Sequence, residues 1–506
     1  MNGIDTAVDP REPAPWNAAA PPRRPVIFGI AFATLLALLV VRNRALFTIV
    51  VDESGDPAAN SIITAQAKHF ALLVGNYSRL GFSHPGPGFF YVQAFGEWLF
   101  HDRFRIVPAP WNGQVLGVLV LNAALLAATM TVLAGWLRSW PATALAGAAA
   151  LGFLARHGQA ASVMWPPFMY VLPFLLLLVA AASVAAGRTG DLWALALAAG
   201  LLVHGHAQFL LFVPVITAAA LVALVARRRA GVWERPRDWL VGLAVAAVFA
   251  LPMVVNLALH WPGEFPKYLG YGSSEQAGGH PVAAATGYVA QFWPGGPLGV
   301  VVGVVLLAAA AVATRRREAG AFVTTGAGFI GLGLVMMTGY AATGIDDLGQ
   351  RYVGYFSWAI PLLLGALVAG CAGGLLPGRL ARPAAVAGLA VALVAALATP
   401  SLVTTREPLP GAPPAVAALA ERANGRPVVL ALEGDTWPQM VGLLVAGQRR
   451  GVRICVDASW RFMVTDQYVC TAWERASGMA VTLVSAGSAA PGRAVIAPVG
   501  PALLTA

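Results

Sequence analysis

Residues 52–91 read DESGDPAANSIITAQAKHFALLVGNYSRLGFSHPGPGFFY. They follow an apolar run that ends near residue 42, which puts Asp52, Glu53 and Asp56 at a membrane surface. Acidic groups so close to a span are costly unless solvated or used, so function is to be sought first in this loop. Aspartate before proline is a helix-start signal: Asp56-Pro57 opens a helix over 58–72, with Asn60 one turn on along the same face. His84 sits in Ser-His-Pro-Gly-Pro, a backbone stiffened by proline and freed by glycine that holds a side chain in place. Residues 86–100 are apolar but short and are interrupted by Glu97. They predict an interfacial or re-entrant helix with its aromatic residues at headgroup depth.

Composition explains the membrane. Hydrophobic residues fill 58% of 506 positions, charged residues 11%, and the mean hydropathy is +0.70. Soluble chains are nearer a quarter charged, so lipid solvates most of this one. Basic residues exceed acids 33 to 23, which could suggest nucleic acid as a partner. The arginines lie instead in short loops between apolar runs, a positive-inside signal, and no nucleic-acid partner is expected.

Apolar runs near 25–42, 112–136, 139–156, 166–187, 191–206, 208–226, 239–259, 297–314, 321–342, 355–376 and 383–400 predict about eleven transmembrane helices. With the N-terminus inside, alternate loops are basic: Arg138, Arg188, Arg227 to Arg237, Arg315 to Arg317, and Arg379 with Arg382. The opposite loops, 43–111, 156–165, 260–296 and 343–354, are neutral or mixed. The first run lacks a small-residue cleavage site and reads as an uncleaved anchor. The fold class is thus mainly α, a multi-pass plasma-membrane protein with an N-terminal tail (1–24) and a transmembrane domain (25–400). A Pro-rich linker (401–414) then leads to a small extracytoplasmic α/β domain (415–506). Helix, strand, helix, strand and strand are expected there at 415–423, 427–433, 437–447, 452–457 and 480–485. Cys455 and Cys470 would lie outside the cytoplasm, where disulfides form, and their spacing leaves pairing open.

The outward loops gather polar residues that membrane packing would not choose, among them Asp52, Glu53, Asp56, Asn60, Arg79, His84, His204, His206 and Arg351. GDPAANSIITAQA followed by SHPGPGFFYVQAF resembles the first outer loop of the GT-C superfamily of polytopic glycosyltransferases, of the protein O-mannosyl and aminoarabinose type. More narrowly, YSRLGFSHPGPGFFY is similar to a Y-S-R-x-G-x-x-H-P-G-P-x-x-F-Y stretch of bacterial GT-C-like membrane proteins. The resemblance implies transfer of a sugar from a polyprenyl-phosphate donor to an envelope glycan, lipid or protein at the outer face. It makes Asp56 the leading candidate for a base acting on the acceptor hydroxyl, with Asp52 and Glu53 behind it. Tyr77, Arg79 and His84 fall on the motif, and Arg79, His84 and Arg351 suit a lipid phosphate. Arg351 equally suits snorkelling to bulk lipid. Asp56, His84 and Arg351 are then expected to face one cavity.

An acid pair can also hold a divalent cation, and the superfamily is mixed in its metal need, so no cofactor is assigned. Two other classes stand beside this reading. A transporter or flippase would place charges at mid-membrane and show internal repeats, and neither is evident here. A non-catalytic binder of lipid-linked glycans fits the same polar loops.

Overall fold

The computed structural model describes residues 24–272, 279–399, 409–488 and 494–505. The N-terminal tail and the first part of the expected linker lie outside these residues. Among the described residues nine helices are long and apolar enough to span a bilayer: Arg24–Arg42 (α1), Pro110–Leu137, Pro166–Ala185, Phe209–Arg228, Pro236–Leu259, Gly296–Thr314, Glu318–Thr343, Arg351–Leu375 and Gly378–Ala398. The other two of the eleven expected spans fall on shorter helices, Trp140–Arg156 and Leu192–Gly205. At 1.5 Å per residue the first of these is about 26 Å long, near the lower limit for a span.

The apolar helices divide by what solvates them. Pro166–Ala185 is enclosed by protein along its whole apolar window, and Pro110–Leu137 along most of it. Pro236–Leu259 and Gly296–Thr314 leave Leu240, Leu243, Val301 and Val305 exposed, and those surfaces are the ones that lipid must cover.

Between α1 and Pro110–Leu137 the chain forms two further helices, Gly55–Lys68 (α2) and Gly88–Gly96 (α3), the latter continued by a π-helical turn over Glu97–Arg103. Pro110–Leu137 is α4, and α3 lies against it through glycines. A Cβ on Gly96 would come within 2.6 Å of the Gly113 carbonyl oxygen and 2.7 Å of Gly117 Cα. Small residues allow this close helix approach. The short apolar segment around Glu97 is therefore a packed helix beside a span.

The C-terminal region is a five-stranded sheet with strands β1 (Val428–Glu433), β2 (Ile454–Cys455), β3 (Met479–Ser485), β4 (Val495–Val499) and β5 (Ala502–Thr505), in the order β2-β1-β3-β5-β4. The first three are parallel, and β5 pairs antiparallel with both neighbours. Its first helix, Ala412–Ala423, begins earlier than the sequence suggests, because Pro413 and Pro414 fit a first turn that needs no donor. Cys455 and Cys470 form a disulfide, with Cα atoms 5.0 Å apart.

α2 is shared between two cores. Ala58, Ala59 and Ile62 pack with the sheet domain, while Ile63 and Ala67 pack with Leu72, Phe90 and Ala94 under α3. Helix Trp437–Arg449 meets the start of α2 at Gly442, where a Cβ would lie 2.6 Å from the Glu53 carbonyl oxygen. Gly442→Val is expected to destabilise the protein by about 1–3 kcal/mol through overpacking, measured as a lowered thermal midpoint in detergent. An unchanged midpoint would show that this seam yields freely.

Candidate functional site

Asp56 stands in the first turn of α2, where the helix dipole favours an anion. One carboxylate oxygen accepts a hydrogen bond from the Tyr77 hydroxyl, and the other accepts from the Trp165 indole at 2.8 Å. The carboxylate is thus oriented from both sides, yet it has about four lone-pair directions and two remain free. Trp165 also packs on Tyr352, with ring centroids 5.3 Å apart. Tyr352 follows Arg351, whose exposed side chain has no ion pair or hydrogen bond among the described residues. Arg79 reaches Asp346 at 2.5 Å, more than half exposed, and a surface pair of that kind is readily exchanged for another anion. The described contacts therefore join Asp56 and Tyr77 directly, with Arg351 one residue from the aromatic bridge.

Asn60, one turn further along α2, is 1% exposed, and neither end of its side-chain amide has a partner. Such a group carries an unmet hydrogen-bonding demand.

The other two acids are occupied. Glu53 is buried, with its side chain 1% exposed, and both oxygens take a forked pair from Arg449 at 2.8 and 2.6 Å. The Ser61 hydroxyl donates to the same carboxylate at 2.6 Å. Three of the four lone-pair directions of this buried carboxylate are thus taken, and Glu53 is tied into the packing between α2 and the sheet domain. Asp52 lies 3.5 Å from Arg450, and its carbonyl oxygen accepts from the Leu409 amide.

The histidines form a separate assembly. His84 is buried, with its ring 4.0 Å from that of His206, and its Nδ1 accepts from the Ala207 amide at 3.3 Å. His204 Nδ1 accepts from the Gly88 amide at 3.0 Å, satisfying an orphan donor at the start of α3, and its Nε2 lies 2.6 Å from the Phe249 carbonyl oxygen. That pairing requires neutral imidazole with the proton on Nε2. Gly86 must be glycine here, since a Cβ would meet the His204 ring at 2.5 Å. The Pro-Gly segment is thereby strapped to the 204–207 turn, and the His84 amide donates to the Asn76 carbonyl oxygen at 2.7 Å, beside the Tyr77 that holds Asp56. The His84 ring meets His206 and the Ala207 amide, and its tie to Asp56 runs through the backbone of the segment bearing Tyr77.

Trp165, Tyr352 and Arg449 are missed by sequence reasoning. The one local signal, Trp165-Pro166-Pro167 at the head of a span, reads equally well as an interfacial aromatic anchor.

No protein-family model matches the chain, and no curated protein matches it. Among solved structures, the crystal structure of ArnT from Cupriavidus metallidurans bound to undecaprenyl phosphate is similar over 94% of this chain and 97% of that one. The TM-score is 0.57 and the sequence identity 15%. That likeness shows the fold, an ArnT-like polytopic membrane fold.

Two outcomes test this geometry. Arg449→Met should cost about 3–5 kcal/mol by stranding a buried carboxylate, and adding Glu53→Leu should recover most of that in thermal unfolding. A double variant no more stable than Arg449→Met would sink the ion-pair account. Burial and the neighbouring His206 push the His84 pKa well below the usual histidine range, and burial pushes His206 down to about 4. Below pH 6.5 the unfolded chain takes up protons that the folded one refuses, so stability should fall from pH 6.5 toward 4. His206→Asn should flatten that slope in unfolding measured across the same pH range.

Proposed function

We propose that this chain is a membrane glycosyltransferase that moves a sugar from a polyprenyl-phosphate donor to a cell-envelope acceptor at the outer face of the membrane. The observation that carries the proposal is Asp56, held by Tyr77 and Trp165 at the head of α2 in an ArnT-like fold. In this reading Asp56 takes the proton of the acceptor hydroxyl as its oxygen attacks the anomeric carbon. The bond from that carbon to the phosphate oxygen breaks, and the polyprenyl phosphate leaves as an anion. Arg351 and Arg79 suit that departing charge, because a guanidinium offers paired donors to a phosphate. The neighbour's bound undecaprenyl phosphate supports a lipid of that class as the donor's carrier. Asn60, with its unpaired amide, suits a sugar hydroxyl.

Glu53 becomes a structural anchor, while His84, His206 and His204 become positioning residues for the loop that supplies Tyr77 and Arg79. Orientation rests on two supports. The basic loops alternate as inside loops should. The Cys455–Cys470 disulfide suits an oxidising compartment, which supports a sheet domain and α2 outside the cytoplasm.

Asp56→Asn keeps the shape and hydrogen-bonding size of the side chain but removes its basicity. It should lower transfer of labelled sugar from a polyprenyl-phosphate donor in membranes by at least ~10²-fold, the scale of general-base catalysis. Asp52→Asn should leave transfer near wild type. Equal loss from both substitutions, or from neither, would remove Asp56 from its role.

A further inference from the structure

Arg42 is the last residue of α1 and is 5% exposed, yet its guanidinium has no hydrogen bond or ion pair among the described residues, and its Nε is buried without a partner. A buried, unpaired charge is among the most expensive features a protein can hold, and one that persists points to a missing counter-ion. The surroundings show what kind. α1 has 19 residues, about 28 Å of helix, so a residue at its end lies at the depth of lipid headgroups. Arg42 borders a small gap, with room for about one water, that Leu35, Leu39, Asn122, Leu126, Leu151 and Ala396 line, so its guanidinium has little beside it but apolar side chains.

The rest of the site is cationic. Gly158 leaves room for the guanidinium, since a Cβ there would lie 2.5 Å from Arg42 Nη2. Arg156 ends the helix just before Gly158, and Arg44 opens the turn just after Arg42. Both are exposed and have no ion pair among the described residues. Asn43 joins that turn to Ser162, 3.4 Å away, so the two cationic segments are held together.

We infer that Arg42, with Arg44 and Arg156 at its rim, forms a binding site for the phosphate headgroup of an anionic lipid. The site uses none of the residues around Asp56, and its occupancy does not depend on sugar transfer. Two lipids share the required chemistry, a resident anionic phospholipid and a polyprenyl phosphate.

The test uses the full-length protein, delipidated in neutral detergent and followed by its thermal midpoint. Phosphatidylglycerol, polyprenyl phosphate, zwitterionic phosphatidylcholine and inorganic phosphate are titrated separately. The wild-type midpoint should rise with an anionic lipid. A rise with phosphatidylglycerol assigns the site to membrane phospholipid, and a rise confined to polyprenyl phosphate assigns it to the carrier lipid. Arg42→Met should weaken that response about tenfold or more, the scale of one lost charge-assisted contact. Without lipid the same variant should match or exceed wild type in stability, because it removes an uncompensated charge. An equal response from wild type and Arg42→Met overturns the site, as does a wild-type response to phosphatidylcholine or inorganic phosphate as strong as that to the anionic lipids. Should Arg42→Met not fold, the exposed double variant Arg44→Gln/Arg156→Gln decides. It should weaken the response about fivefold for each arginine removed, near 1 kcal/mol apiece and so about thirtyfold together, and no change overturns the proposal.

Discussion

The placement of α2 depends on one buried ion pair. Glu53 is withdrawn from water immediately before the helix, and removing a carboxylate from solvent is favourable only where its charge and lone pairs are met. Arg449 meets them with a fork from the last turn of a helix in the sheet domain, almost four hundred residues away in the chain. Ser61 adds a donor from α2 itself, and Gln114, close to Ser61, donates to Glu97, which in turn takes Lys68 at 2.6 Å. A continuous polar seam thus runs from the sheet domain through α2 to α4 and the π-helical turn. Partly satisfied, such a seam would be worse than an apolar one; satisfied, it admits a single register of α2.

That register explains how Asp56 comes to be flanked by residues from distant segments. The Tyr77 hydroxyl arrives from the loop before α3, the Trp165 indole from the head of a span, and Tyr352 from the start of another. The histidines serve the same end indirectly. His204 closes the start of α3, and His84 stacks on His206, so the segment bearing Tyr77 is fixed at both its neighbours. Neutral rings suit this role because each offers one donor and one acceptor without a charge to bury.

Much of the membrane architecture was legible because lipid imposes a simple rule: an apolar run of sufficient length must satisfy its own backbone as a helix. Nine of the expected spans appear as long apolar helices among the described residues, and the other two as the shorter helices Trp140–Arg156 and Leu192–Gly205. The C-terminal alternation of helix and strand was equally readable, except for β4 and β5. Those strands are five and four residues long and flank Gly500-Pro501, too short for an alternating pattern to register. Within the site, Asp56 announced itself through Asp-Pro at a helix start. Glu53 looked like its equal, since nothing local distinguishes an acid that meets substrate from one that meets Arg449.

The sequence alone determined the solvent, the spans, the helix headed by Asp56 and the strap built from Ser-His-Pro-Gly-Pro, because each follows from local periodicity, proline and glycine chemistry, or length. Only the tertiary structure decided which acid is open and which is locked, and that His84 and His204 hold backbone groups of distant segments. It also revealed that the guanidinium of Arg42 is buried without a partner. These outcomes depend on which side chains meet after the chain has folded back on itself, and a hydrogen bond or an ion pair between residues a hundred or more positions apart leaves no mark on the local pattern of either.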